Sequence, residues 1–179
     1  MKLSNYKYLF LDRDGVINKR QEGYVSSWDA FEYTEGALKA IVRFSKYFDR
    51  IIVVTNQQGV GKELMSQEQL DKLHEEMSAS IEDAGGRIDA ILACTELDSE
   101  DNNCRKPSPA MGLWAKRKFP EIDFSQAIMV GDSISDMKFG ENLGMFTVLV
   151  GGKEEEAEKA KTLNVGRRIK KLADLASFL

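Results

Sequence analysis

Asp12 and Asp14 stand two residues apart, directly after the apolar run Tyr8-Leu9-Phe10-Leu11, in the string Asp12-Arg13-Asp14-Gly15-Val16-Ile17-Asn18. In an extended segment residues i and i+2 point the same way, so both carboxylates can face one small pocket. Acids that close repel each other and raise one another's pKa unless a cation lies between them. The pair reads as a nucleophile or metal ligand beside a general acid/base. The alternative is an acidic turn capping a strand, with Gly15 supplying an unusual backbone angle, since Asp-x-Asp-Gly is also a turn and calcium-loop composition.

Three later segments bear on the choice. Val53-Val54-Thr55-Asn56-Gln57-Gln58-Gly59-Val60-Gly61-Lys62 ends an apolar run with a hydroxyl, successive amides and two glycines. That is a cradle for a phosphate or oxyanion, or else a polar turn. Arg105-Lys106-Pro107-Ser108-Pro109 puts a basic pair at the entry of a helix. A lysine there binds phosphate as a point charge and an arginine grips an oxyanion with two N–H groups, unless the pair is simply solvated. Met129-Val130-Gly131-Asp132-Ser133-Ile134-Ser135-Asp136 brings Asp132 to a strand end and Asp136 one turn into a helix. Oxygen ligands from several strand ends suit Mg²⁺, and Ser133 or Asp132 could equally serve as a helix cap. Four such segments, each at a strand terminus, favour chemistry over four unrelated turns.

The elements that must position them alternate along the chain. Tyr8–Leu11, Arg50–Thr55, Ile88–Ala93, Ala127–Val130 and Met145–Val150 are apolar with little polar alternation, as in strands of a parallel sheet covered on both faces. Glu35–Tyr47, Ser66–Ala84, Pro109–Lys118, Ser133–Asn142 and Glu154–Lys161 carry helical spacing. Ser66-Gln67-Glu68-Gln69 resembles a capping box, and Asp83-Ala84-Gly85-Gly86 a helix stop. The expectation is one α/β domain over residues 1–179, a three-layer doubly wound, Rossmann-like parallel sheet with no separate cap domain. Such sheets bind ligands beyond the carboxyl ends of their strands, where all four segments fall.

At 179 residues, with 42% hydrophobic and 30% charged residues, the chain is a globular protein with room for a substantial core. A net charge of −4 gives no general attraction to nucleic acid or anionic membrane. No apolar run approaches the roughly 20 residues that span a bilayer. Two cysteines make no disulfide framework, so a cytoplasmic location is expected. A monomer acting on a small phosphorylated metabolite, with neither nucleic-acid nor membrane partner, completes the expectation.

The ordered set DRDGVIN, VTNQ, RKPSP and VGDSISD resembles the haloacid dehalogenase-like (HAD) superfamily of aspartate-nucleophile phosphatases. The resemblance implies that Asp12 is the nucleophile and Asp14 the general acid/base. It also implies that Thr55 and Lys106 bind the transferring phosphoryl group. Mg²⁺ would be held by Asp12, Asp132 and the Asp14 carbonyl, with Asp136 in support. Within the superfamily, Gly23-Tyr24-Val25, Phe31-Glu32-Tyr33, Glu35-Gly36-Ala37 and Asn18 resemble the heptose-bisphosphate phosphatases, while Thr55-Asn56-Gln57 and Arg105-Lys106-Pro107 are shared with the histidinol-phosphate phosphatases. Asn56, Gln57, Arg105 and Lys106 are by that resemblance substrate contacts. A histidinol-phosphate or other sugar-phosphate phosphatase, or a catalytically silent phosphate-binding protein, is the alternative.

Two departures from those relatives stand out. Their structural zinc loop, Cys-x-His followed by Cys-x-Cys, corresponds here to Cys94-Thr95-Glu96 and Asn102-Asn103-Cys104. Two of four usual ligands remain, so no structural zinc is expected and the cysteines should be free or only incidentally close. The turn after Gln57 reads Gln58-Gly59-Val60-Gly61-Lys62, unlike the Ser-Gly-Ile-Ala-Arg-Gly of the heptose enzymes. The sole histidine, His74, lies in a charged helix remote from the motifs and reads as solvated or partly packed. Trp28 is a pocket wall or packs on the sheet edge, and Lys153–Lys161 and Gly166–Lys171 read as charged helix faces or turns.

Overall fold

A computed structural model describes residues 3–99, 103–151 and 165–179. Six parallel strands form one sheet: β1 (Tyr8–Leu11), β2 (Arg50–Asn56), β3 (Ala90–Cys94), β4 (Ala127–Gly131), β5 (Phe146–Val150) and β6 (Arg167–Ile169). Their order is β3-β2-β1-β4-β5-β6, so the chain winds outward from β1 in both directions. Among the described residues, five α-helices accompany them: α1 (Ala37–Ser45), α2 (Gln67–Asp83), α3 (Ala110–Lys118), α4 (Ile134–Asn142) and the short α5 (Leu172–Leu175).

Alternation along the strands divides the core into two layers. Leu9 and Leu11 of β1, Ile51 and Val53 of β2, and Val130 of β4 pack with Ile41 and Phe44 of α1, Met77 and Ile81 of α2 and Leu172 of α5. The other face carries Phe10, Ile52, Val54 and Met129 against Met111 and Ala115 of α3 and Phe139 of α4. With both faces covered, every position of β1 is buried, and each buried Leu, Ile or Phe contributes about 2 kcal/mol relative to exposure. Hence the continuous apolar runs.

Register sets the height at which the chain leaves the sheet. Leu11 lies level with Val53 on one side and Val130 on the other. The Asp12 N–H donates to the Val130 carbonyl at 2.9 Å, extending the ladder one residue. Asp12, Thr55 and Asp132 therefore leave neighbouring strands at one edge. Helix α2 starts at Ser66, whose side chain accepts the Gln69 N–H in a capping box, and it stops before Gly85, at φ +86°.

Residues Arg167–Ile169, read from the sequence as part of a charged face or turn, form an edge strand. Among the described residues β6 pairs with β5 alone, and its side chains are partly or fully exposed, so it needs no apolar run. The helix expected at Glu154–Lys161, and the charged stretch Lys153–Lys161, lie outside the described residues. Among those described, no helix is long and apolar enough to cross a membrane.

Candidate active site

A cavity of about 270 Å³ opens at the carboxyl edge, lined by residues from each motif, including Asp12, Asp14, Thr55, Asn56, Arg105, Lys106 and Asp136. At its floor Lys106 is almost fully buried. Its Nζ donates to Asp12 Oδ1 at 2.8 Å and to the Val54 carbonyl at 2.7 Å, and it pairs with Asp136 Oδ1 at 2.6 Å. Burial pulls this ammonium down, but Asp12 and Asp136 outweigh it and hold the pKa above the usual lysine value. The site thus keeps a fixed positive charge beside Asp12. Burial drives the Asp12 carboxyl well up, against the pull of Lys106 and with the push of Asp136 and Asp132.

Asn56 fixes the lysine from behind. Its Oδ1 accepts the Lys106 N–H at 2.9 Å and its Nδ2 donates to the Lys106 carbonyl at 3.3 Å. Asp136 does two things at once. One oxygen takes the Ser133 N–H at 3.0 Å while the Ser133 hydroxyl accepts the Asp136 N–H at 3.3 Å, closing a capping box on α4; the other faces Lys106. The segment therefore caps α4 through Ser133 and at the same time sets Asp136 against Lys106.

Asp14 sits in a different environment. Arg13 Nη2 donates to both its oxygens at 3.0 and 2.9 Å, Asn18 Nδ2 to Oδ1 at 2.9 Å, and Gln57 Nε2 to Oδ2 at 2.7 Å. Burial alone would raise this carboxyl; Arg13, then the Asn18 and Gln57 donors, reverse that and hold it below the usual aspartate range. Two neighbouring acids are pushed apart, Asp12 up and Asp14 down. Such separation is how one site obtains distinct acid/base roles from one residue type.

Gln57 is buried, and its amide also donates to the Thr55 hydroxyl at 2.8 Å. It stands behind Asp14 and Thr55 and is absent from the cavity lining, where Gln58 appears instead. Arg105 lines the cavity, with Nε donating to Asp98 at 3.2 Å. The upper wall comes from the loop after β1, through Arg20, Gln21, Gly23, Tyr24 and Val25. Tyr24 leans on Gly59, where a Cβ would lie 2.9 Å from the ring, so the two loops pack directly.

Carboxylate oxygens of Asp12, Asp132 and Asp136 lie within 4.8 Å of one another. An all-oxygen donor set of this kind suits a hard divalent cation. In this arrangement Lys106 and Ser133 engage Asp136, Lys106 takes Asp12 Oδ1, and Arg20 takes both oxygens of Asp132. Gly15 backs this corner. Its φ is +89°, and a Cβ there would lie 1.9 Å from Asp132 Oδ2, so both the backbone angle and the space require glycine.

A family model described as HAD-hydrolase-like matches residues 103–175. The D-glycero-alpha-D-manno-heptose-1,7-bisphosphate 7-phosphatase of Mycobacterium bovis is 40% identical over 136 residues, 75% of this chain and 72% of that protein. The corresponding beta-heptose phosphatase of Photorhabdus laumondii is 34% identical over 176 residues, 93% and 92% of the two chains. The chain belongs to the HAD-like heptose-bisphosphate phosphatase family. It is a phosphoric monoester hydrolase of this family. The crystal structure of the D,D-heptose 1,7-bisphosphate phosphatase from Bordetella bronchiseptica, complexed with magnesium and phosphate, matches over 96% of both chains with a TM-score of 0.89 at 29% identity. Fold class and reaction type agree with the expectation from the motifs.

This HAD-like phosphatase departs from the sequence reading at its cysteines. Cys94, ending β3, and Cys104, just before Arg105, are joined in a disulfide with Cα atoms 5.6 Å apart, so neither is free. The chain returns from its excursion directly beside β3, a closeness invisible in a ten-residue separation. Glu96 accepts the Cys104 N–H at 2.5 Å and ties the loop's two ends together. Asn102, discounted as a zinc ligand, lies outside the described residues. Trp28 stacks on Phe31 at 4.9 Å and packs against the core, away from the cavity.

Three contributors escaped the motif reading: Arg13, His74 and Arg20. Strict strand alternation turns Arg13 away from its neighbours' pocket, but the chain bends after Asp12 and buries the guanidinium completely between Asp14 and α2. There Arg13 Nη1 lies 3.0 Å from His74 Nε2. The nitrogen facing an arginine must accept, so His74 is neutral with its proton on Nδ1. Burial first, then Arg13, drive its pKa down to about 4, against Asp14 and Asp71. A signal was available in the unusual apolar-face position of His74, one residue after Leu73 and three before Met77 on α2.

Proposed function

We propose that this chain is a Mg²⁺-dependent heptose-1,7-bisphosphate 7-phosphatase working through an aspartyl-phosphate on Asp12. The observation that carries the reading is the pairing of buried Lys106 with Asp12 at the cavity floor, beside an Asp14 with opposite pKa character. Asp12 and Asp132, with the Asp14 carbonyl, would hold Mg²⁺, which offsets charge repulsion between the carboxylate and an anionic phosphoryl group when bound. Asp12 then attacks phosphorus as the bond to the sugar oxygen breaks. Lys106 and the Thr55 hydroxyl face the equatorial oxygens, where transition-state charge accumulates. Asp136 supports by holding Lys106 in place.

Approach of the anionic phosphoryl group favours the protonated form of Asp14. Asp14 gives that proton to the leaving alkoxide, then takes one from the water that opens the aspartyl-phosphate. Arg13, Asn18 and Gln57 keep it aimed through both half-reactions. Asn56 orders Lys106, while Arg105 at the rim meets the rest of the substrate. The names of the relatives in Mycobacterium bovis and Photorhabdus laumondii support a heptose bisphosphate as that substrate.

Phosphate release from both anomers of D-glycero-D-manno-heptose 1,7-bisphosphate, from fructose 1,6-bisphosphate and from histidinol phosphate tests the reading. A tenfold preference for histidinol phosphate in kcat/KM, about 1.4 kcal/mol of transition-state discrimination, overturns the substrate. Asp12→Asn should lower turnover by roughly three orders of magnitude or more with the fold intact. Near wild-type turnover in that variant overturns the nucleophile.

A further inference from the structure

Arg20 lines the cavity and grips Asp132, one of the two carboxylates assigned above to the cation. Its Nε donates to Asp132 Oδ2 at 3.1 Å and its Nη2 to Oδ1 at 2.6 Å, so the guanidinium fork occupies both oxygens. Gly15 also crowds that carboxylate, since a Cβ there would lie 1.9 Å from Asp132 Oδ2. A divalent cation bound through Asp132 therefore needs oxygen lone pairs that Arg20 now holds. The two compete for one ligand.

Displaced, Arg20 has somewhere to go. The side chain is half exposed, on a loop that forms the wall of the cavity, and Arg105 lines the same cavity. A bisphosphate whose reacting phosphoryl group sits on Asp12 carries a second anionic group toward the rim. A guanidinium released from Asp132 matches a phosphate with the same two-pronged geometry it used on the carboxylate.

We propose that Arg20 is an exchanging residue. It holds Asp132 in the metal-free protein and, once displaced by the divalent cation, binds the substrate's non-reacting phosphate. Metal loading and selection of a bisphosphate over a monophosphate are then coupled through one side chain, because whatever occupies Asp132 frees the guanidinium for the substrate. This inference rests on the phosphatase reading above and adds a specificity residue to it.

Calorimetric titration of MgCl2 into wild type, Arg20→Ala and Arg20→Lys, without substrate, reads the competition directly. Loss of the fork should tighten Mg²⁺ at least threefold in both variants. A smaller change or weaker binding in Arg20→Ala overturns the exchange, as does wild-type affinity in Arg20→Lys, which would reveal only an effect of bare charge. The ratio of kcat/KM for heptose 1,7-bisphosphate to that for p-nitrophenyl phosphate should fall at least fivefold in Arg20→Ala. A smaller fall overturns the assignment to the second phosphate. Failure of the underlying reading shows differently, as wild type that turns over neither ester, while the magnesium titration still reports on Arg20.

Discussion

His74 should make the fold sensitive to acid in a way that one substitution removes. The ring is buried on α2 and accepts from Arg13, which leaves no room for a second proton on Nε2. Its pKa falls from 6.5 to about 4 on folding. As pH drops, the unfolded chain takes up the proton first, so unfolding is favoured. The stability from this group is complete above about pH 7, declines between 6.5 and 4, and loses nothing more below that. The full penalty is about 3 kcal/mol, and linkage places about 2 kcal/mol of it by pH ~5. His74→Gln keeps an acceptor for Arg13 but does not titrate. Urea unfolding of both proteins across this range, compared as a difference, cancels the carboxylates they share. Wild type should lose about 2 kcal/mol relative to His74→Gln between pH ~7.5 and ~5. Parallel losses would mean that His74 titrates as a solvated histidine and that its contact with Arg13 is not held in solution.

Gly15 and Gly85 form a matched pair, since both have φ near +90°, yet a Cβ meets Asp132 at the first and open space at the second. Gly85→Ala should cost about 1 kcal/mol in urea unfolding, whereas Gly15→Ala should cost more and also weaken Mg²⁺ binding in a direct titration. Lys106→Met strands two buried carboxylates and should cost about 3–5 kcal/mol at neutral pH, with the deficit shrinking on acidification as Asp12 takes up a proton; a pH-independent deficit would contradict the ion-pair account. Protein purified without chelator should carry no stoichiometric zinc, because Cys94 and Cys104 bond to each other, and zinc that disappears in Cys104→Ser would refute this.

What the sequence disclosed follows from where burial is two-sided. β1, β2 and β4 are covered on both faces, so their runs stand out, and the residues just after them mark the sheet edge that holds the cavity. β6 was missed because an edge strand with half-exposed Arg167 and Ile169 needs no apolar pattern. Asp12, Thr55 and Asn56 line the cavity because strand register, a regular property, delivers the ends of β1 and β2 there, while Asp14, Asp136, and Arg105 with Lys106 arrive on the turn after β1, on α4 and on the loop before α3. Gln57, Arg13 and Arg20 depend on how a turn bends after the strand ends, which no periodicity encodes. His74 depends on which face α2 presents to that turn. The disulfide depends on a loop doubling back on itself, and no local pattern records that.

The long separations inside the site also bear on when activity can arise. Asp12 meets Lys106 across 94 positions, and Arg20 meets Asp132 across 112. A chain emerging from the ribosome presents Asp12 well before Lys106 and Asp132, as an ordinary hydrated aspartate with no counter-charge and no burial. Closing contacts this distant is the slow, entropically costly part of assembling a parallel sheet. Reactivity therefore switches on late and all at once, when β4 slots in beside β1 and brings Asp132 and Asp136 to the edge. Nascent fragments that end before that strand should hold the first acids of the site and none of its chemistry.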